Sequence, residues 1–312
     1  MSAFIHQMVA LGAALASLAP APSLAYDCAL PPADDVLAPG TSHHYPAWSP
    51  DGAWIAFTVS SDAAIDVYRV RPDGTGLERL TDAPLVDAHP AWAADGQTIF
   101  FDSTRDGHRE AYAMTAGGCR QQSLTKSAGS DGPVALSPDG SSALWNSDRA
   151  GQGDQIYRAS VTRASDGSWT LGPAQPLTSG AGPNQAPVWS PDGRMILFES
   201  RRDGNREIYI MNGDGSEQRN LTNHPAHDSL PKWSPDGRRL VFFSRRDGND
   251  EVYAMAADGS APTRLTQSAG PDRMPAWSPD ASTLVFSSDR SGSGRLYLMS
   301  PDGTNLRSVL AD

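Results

Sequence analysis

A Pro-x-Trp-Ser-Pro-Asp-Gly phrase, complete or degenerate, recurs along this chain at a nearly constant pitch, and that pitch constrains the fold more than any other feature. Its Trp falls at Trp48, Trp92, Trp189, Trp233 and Trp277, with Leu136 in the same slot of one copy, so the intervals are 44, 44, 53, 44 and 44 residues. Self-similarity at a fixed period of this size is the signature of a repeat architecture. Each period carries four short extended pieces, as in Ala186-Pro187-Val188-Trp189, Met195-Ile196-Leu197-Phe198, Glu207 to Met211 and Arg219 to Thr222. Gly, Pro, Asn or Asp bounds each piece. The turn Ser190-Pro191-Asp192-Gly193 uses Pro to preset φ and Gly to accept positive φ, and Asp214-Gly215 serves the third turn likewise. No stretch after residue 25 shows the i, i+3, i+4 apolar spacing that a helical solenoid requires.

Four strands per unit is the content of a propeller blade, and six units are present. Their second strands centre on Ile55, Ile99, Leu144, Ile196, Val241 and Val285; their third strands carry Tyr68, Tyr112, Tyr157, Tyr209, Tyr253 and Tyr297. The expected fold is all-β, a six-bladed β-propeller with four antiparallel strands per blade, over residues 41–312. The nine extra residues before Trp189 fit a lengthened hairpin from Ala159 to Gln175 that turns at Asp166-Gly167. Residues 26–40 form an N-terminal segment, a candidate ring-closing strand, because Val36-Leu37-Ala38 resembles the fourth strands as well as Val309-Leu310 does.

Residues 1–25 lack charged side chains, run apolar from Met8 to Ala19 and end in Ser23-Leu24-Ala25, a small-x-small site. This reads as a signal peptide, although only His6 offers a positive charge near its start. A twelve-residue apolar run is too short to span a bilayer, so the expectation is a periplasmic or secreted protein with no membrane span. Cys28 lacks the small residues before it that lipidation needs, and Cys28 and Cys119 either pair in a disulfide or stay free. A net charge of −11 argues against nucleic acid and anionic membrane surfaces, which need a basic patch.

The run Trp-Ser-Pro-Asp-Gly, Ile-x-Phe-x-Ser-x-Arg-Asp-Gly, Glu-Ile-Tyr-x-Met-x-x-Asp-Gly, clearest in Trp189 to Gly215 and Trp233 to Gly259, resembles the TolB-type propeller repeat over residues 45 to 310. The resemblance implies a six-bladed propeller; in the translocation proteins of that family the propeller follows an α/β domain and binds a peptidoglycan-associated lipoprotein in the periplasm. Only Tyr26 to His44 separate the expected leader from the first blade, so no such domain is expected here, and no Gly-x-Ser-x-Gly elbow of the related peptidases is found. A monomer that binds a protein or peptide of the cell envelope is the expected function, with no catalytic residue assigned. The alternative is a metal-dependent polysaccharide lyase or hydrolase, because the oligogalacturonate lyases share this architecture and hold a metal through His.

The loops entering strand one and joining strands two and three share one end of the ring, where a binding face is expected. Five residues before each Trp slot stand His43, Asp87, Asp131, Asn184, Asp228 and Asp272. Two readings are open: a ring of oxygen ligands and one imidazole, with His43, Asp87, Asp131, Asp228 and Asp272 holding Ca²⁺ or Mg²⁺ at the channel mouth, or Asp side chains capping their own loops. Arg105, Arg202 and Arg246, with Arg149 and Arg290 in matching slots, either clamp a ligand anion or pair with an Asp of the neighbouring blade. His44, His89, His108, His224 and His227 are solvated loop residues or, in twos and threes, metal ligands. The Trp and Tyr ladders read as core, which leaves Trp54 and Trp169 for surface recognition.

Overall fold

The computed structural model describes residues 28–33, 35–180 and 182–310; the expected signal peptide lies outside them. Six antiparallel sheets follow one another along the chain, spanning 42–79, 87–123, 135–176, 184–220, 228–264 and 272–308, here blades one to six. Each is built from consecutive strands, and the first strands of neighbouring blades touch at five of the six junctions, so they form the inner wall of the ring. Blade three departs from four strands: its long third strand, Gln155–Arg163, pairs with both Trp169–Leu171 and Gln175–Pro176. The nine extra residues thus add a fifth strand through the turn at Asp166-Gly167. Among the described residues no helix is long and apolar enough to cross a membrane.

The repeated turn explains its own sequence. Ser190 Oγ donates to Asp192 Oδ1 at 2.6 Å, the same oxygen accepts the Arg194 N–H, and the hydroxyl accepts the Met195 N–H. Ser49, Ser137, Ser234 and Ser278 repeat the first contact with Asp51, Asp139, Asp236 and Asp280. These donors hold the Asp139 and Asp280 carboxyls down at about 2.

Between blades the sheets meet through apolar faces. Phe–Tyr pairs cross from strand two to strand three, with centroids 5.9 Å apart for Phe57–Tyr68, 5.5 Å for Phe198–Tyr209 and 5.8 Å for Phe242–Tyr253. Phe242 is fully buried among Leu197, Ile208, Ile210 and Leu240, a site where truncation to Ala costs about 3–5 kcal/mol.

Ring closure reuses a contact found at four of the five other junctions, whereas between blades one and two the Ile65 N–H donates to the Leu85 carbonyl at 3.3 Å. The N–H groups of Asp131, Asn184, Asp228 and Asp272 donate to the carbonyls of Arg109, Asp154, Arg206 and Asp250 in the preceding blade at 2.7–2.9 Å, and His43 donates to Gly294 of blade six at 3.0 Å. Gly74, at φ +85°, lies so close to blade six that a Cβ would stand 2.5 Å from the Val309 carbonyl oxygen; Gly118 approaches Leu80 of blade one in the same way. The outer strand of blade six is the chain's own Arg307–Ser308, paired with Tyr297 and Leu298. Residues 35–40, a candidate strand, form turns instead: Ala38 N–H donates to Asp35 and Thr41 N–H to Ala38 around Pro39-Gly40, and a proline has no N–H for a ladder. The segment acts as a plug. Val36 enters the core between blades one and six, Tyr68 donates to Asp35 at 2.7 Å, and buried Arg295 donates to the Thr41 carbonyl at 2.8 Å. Cys28 and Cys119 form a disulfide with Cα atoms 5.8 Å apart, which ties this segment to the third turn of blade two.

His43 sits in that seam with no exposure, donating from Nε2 to the Val36 carbonyl at 2.9 Å beside Phe57. Burial, with help from Arg295 and His44, pushes its pKa down from 6.5 to about 4 despite the hydrogen bond to Val36. The unfolded chain therefore takes up a proton that the folded one refuses. Stability from this group is complete above about pH 6.5 and falls as pH drops to about 4, by roughly 3 kcal/mol. His43→Asn, which installs the residue blade four carries at this slot, is expected to remove that slope from urea midpoints measured between pH 7.5 and 4; parallel curves for variant and wild type would refute it.

Candidate functional site at the channel mouth

The expected binding-face residues are internal braces. Asp87, Asp131, Asn184, Asp228 and Asp272 are at most 1% exposed. Each side chain meets the Arg of its own blade: Arg105 to Asp87 at 2.8 Å, Arg149 to Asp131 at 2.8 Å, Arg202 to Asn184 at 3.0 Å, Arg246 to Asp228 at 3.0 Å and Arg290 to Asp272 at 2.7 Å. The same guanidinium donates Nε to a Ser at the end of strand two and lies over the strand-three Tyr, as Arg246 does with Ser244 and Tyr253. Pairing is within a blade, which corrects the expectation of a neighbouring-blade partner. Contact across blades runs through Gln121 and Gln218, which accept from Arg105 and Arg202 and donate to the Leu80 and Leu177 carbonyls.

The Ca²⁺ ring is corrected for the same reason. The carboxylates turn onto the blade faces toward guanidinium groups, His43 turns to Val36, and no three His, Cys, Asp or Glu side chains among the described residues gather as a metal cluster. His227 accepts the Arg206 N–H and His224 accepts the Ala226 N–H, so both organise a loop. His108 pairs with Glu110 at the rim of blade two. Trp169 is core, edge-on to Phe100 at 5.3 Å, and Trp54 lies against the guanidinium groups of Arg69 and Arg71.

What converges at the mouth is a different set of residues, beginning two positions past the expected slot. The first strands of five blades carry a bulge before a proline, where Tyr45, His89, Ala186, Leu230 and Met274 take φ of 50–58°. Such left-handed residues cost about 1–3 kcal/mol each and gather at functional sites. Tyr45 and His89 face each other with centroids 4.0 Å apart. His89 Nδ1 donates to Asp102 at 2.6 Å, and Arg109 Nε approaches the other oxygen at 2.6 Å. Across the ring Arg206 pairs with Glu199 at 3.1 Å, and Arg245 and Arg273 share Asp250.

The electrostatics show that these groups share one space. Burial pushes the Tyr45 phenol up, Asp102 adds to the rise, Arg109 and Arg206 oppose it, and Glu199 adds to it again, so charges of blades two and four both act on a side chain of blade one. Burial also lowers His44, which feels Asp289 and Arg273 of blade six and His89 of blade two. Burial raises Glu199 in spite of Arg206, whereas Arg245 and Arg273 outweigh burial and hold Asp250 below the usual carboxylate range. The signal for these positions lies in the repeat: the slot of Asp102 reads Thr58, Asp102, Asn146, Glu199, Phe243, Ser287, unlike the near-constant Asp and Arg of the braces. The channel mouth is where the copies differ.

The sequence pattern of the TolB beta propeller domain matches residues 37–125, 170–266 and 229–311. TolB from Acinetobacter baumannii is similar in structure with a TM-score of 0.63 at 21% identity, covering 85% of this chain and 62% of that one. An oligogalacturonate lyase in complex with manganese gives 0.57 at 16% identity, covering 84% of this chain and 90% of the other. A 55-residue stretch is 44% identical to the uncharacterized peptidase YuxL of Bacillus subtilis, 17% of this chain and 8% of the peptidase. The chain thus spans less than two thirds of TolB and a small part of the peptidase. At these identities the structural likenesses establish fold alone.

Arg246→Met strands the Asp228 carboxylate inside blade five, and removing one partner of a buried pair costs about 3–5 kcal/mol. Urea unfolding is expected to show that loss, and a smaller one for Asp228→Asn, the pairing blade four already uses at Asn184. A loss below about 1 kcal/mol for Arg246→Met would show that the brace is not holding the blade. Because the carboxylates are committed to arginines, millimolar Ca²⁺ and a chelator are expected to give the same melting temperature; a rise with Ca²⁺ would restore the cation site.

Proposed function

The chain belongs to the TolB beta propeller family, and from that premise we propose that it is an exported, non-catalytic binding module that engages a protein or peptide of the cell envelope through its channel mouth. The observation that carries this reading is a pair of braced cation groups at the mouth, His89 and Arg109 on Asp102 with Tyr45 against the imidazole, and Arg206 on Glu199. The arginines and His89 are about a third exposed while their carboxylate partners are nearly buried. Such a surface offers forked donors and an aromatic face held in place from beneath, the combination that dominates protein interfaces. The Cys28–Cys119 disulfide and the leader-like first 25 residues support an oxidising, extracytoplasmic setting.

Arg109→Ala and Arg206→Ala together are expected to weaken capture of the envelope partner at least tenfold, the effect of losing interfacial arginines, with the circular dichroism of the fold unchanged. Arg201→Ala, on the rim, serves as the control. The wild type is expected to release no unsaturated sugar from polygalacturonate with or without manganese. Metal-dependent release abolished by His89→Ala would replace the binding reading with the lyase.

A further inference from the structure

The sequence has two lysines, Lys126 and Lys232, against 23 arginines. Lys232 lies in Asp228–Trp233, the innermost strand of blade five. The same slot in the other blades holds Ala47, Ala91, Ala135, Val188 and Ala276. Its neighbours Pro231 and Ser234 are buried while Lys232 itself is exposed, and the open space beside an innermost strand is the channel. Water reaches the side chain along that channel, yet protein surrounds it densely enough that burial holds its ammonium below the usual lysine value. No charged group contributes to that shift, and among the described residues the Lys232 side chain has neither a hydrogen bond nor an ion pair. The channel cations Arg109, Arg206, Arg245 and Arg273, by contrast, each have a carboxylate. Among the described residues Lys232 is a channel amine without a carboxylate partner.

We propose that Lys232 is the receptor for a single carboxylate, carried into the channel from the loop face by an extended peptide. One ammonium among alanine and valine side chains can neutralise one negative charge, and those walls supply no further side-chain donor of the kind a phosphate dianion needs. Direction follows from the charges at the two ends. The first hairpin turn of every blade, at the far end, carries an acid: Asp51, Asp95, Asp139, Asp192, Asp236 or Asp280. The acids at the mouth are paired, so an anion is steered in from the mouth. Asp228, at the loop end of the strand, stands four residues from Lys232, roughly 13 Å at about 3.3 Å per residue, the reach of three to four extended residues. A peptide whose body rests on the mouth can therefore place a terminal or side-chain carboxylate at Lys232. This rests on the binding reading of the mouth and names the chemistry that the channel adds to it.

With so few lysines, reductive ¹³C-methylation of the full chain gives two side-chain resonances besides the α-amine, assigned with Lys126→Arg and Lys232→Arg. The probes are N-acetyl-tetraglycine with a free carboxylate, its C-terminal amide, and inorganic phosphate. The acid is expected to shift the Lys232 resonance saturably and leave Lys126 in place, and the amide to do neither. In calorimetry on unmethylated protein, Lys232→Met is expected to weaken the acid at least tenfold, with an unchanged melting curve showing that the variant is folded. Equal responses to acid and amide, no response of Lys232 to the acid, or phosphate binding as tightly as the acid would overturn the proposal. The resonance reports on the lysine itself, so a failed envelope capture with an intact Lys232 response would discard the partner assignment and leave the carboxylate site standing.

Discussion

A blade has an apolar face on each side, and that constraint governs the rest of the molecule. No single sheet here can bury both of its faces; each must be covered by its neighbours, and the sixth must be covered by the first. The hydrogen bond that links successive blades, from the N–H entering one inner strand to the carbonyl preceding the previous blade's third strand, sets their relative position wherever the Phe–Tyr faces press together. Its repetition between His43 and Gly294 matches the seam to the four junctions that run from blade two to blade six. Two departures show where equivalence ends. His43 replaces the Asp or Asn of the other blades, and Arg295 replaces the Asp, Glu or Gln that accepts from a Thr just after the fourth strand, as Glu251 does from Thr266. Both substituted side chains turn to the N-terminal plug, to Val36 and Thr41.

The repeated polar residues belong to this scaffold. An Asp and an Arg eighteen residues apart, closed over a Tyr and tied to a Ser, lock the loop end of a blade. Charge burial would be costly for either alone, and the pair with its supplementary donors offsets that cost. Blade four manages with Asn184 and Arg202, so a neutral oxygen suffices at this site. Repetition of a charged residue around a ring therefore signals a recurring structural task; a ligand on the axis is a single object and needs different groups from different blades.

Much of the architecture was legible because the repeat is written in turn chemistry: Ser-Pro-Asp-Gly specifies a hairpin through hydrogen bonds between residues no more than five apart, with no help from distant parts of the chain. The extra hairpin of blade three was readable for the same reason, from Asp166-Gly167. The site was less legible. Whether Asp87 points to the axis or onto the blade face depends on the bulge at His89-Pro90, where the pairing slips between Ala88 and Ala91. A period-2 reading cannot tell which side of such a slip faces inward. Trp169 was misjudged because its partner space comes from small residues in another blade, Ala93, Ala111 and Ala113, whose significance appears only when the two blades are stacked.

The bulge also bears on why the mouth suits recognition better than a flat loop surface would. A non-glycine residue at positive φ ahead of a proline is held there by the surrounding sheet, because its own preference is for extended backbone. The ring supplies that restraint five times, through inner strands that are hydrogen-bonded on one side and packed against neighbours on the other. Tyr45, His89, Leu230 and Met274 are thereby fixed before any partner arrives, with Met274 Sδ accepting the Tyr45 N–H across the seam at 3.2 Å. Preorganised side chains lose little conformational entropy on binding. A rigid mouth can accordingly discriminate with a few aromatic and arginine contacts, and the variation among blades at these slots lets each of the six contribute a different group to one asymmetric partner.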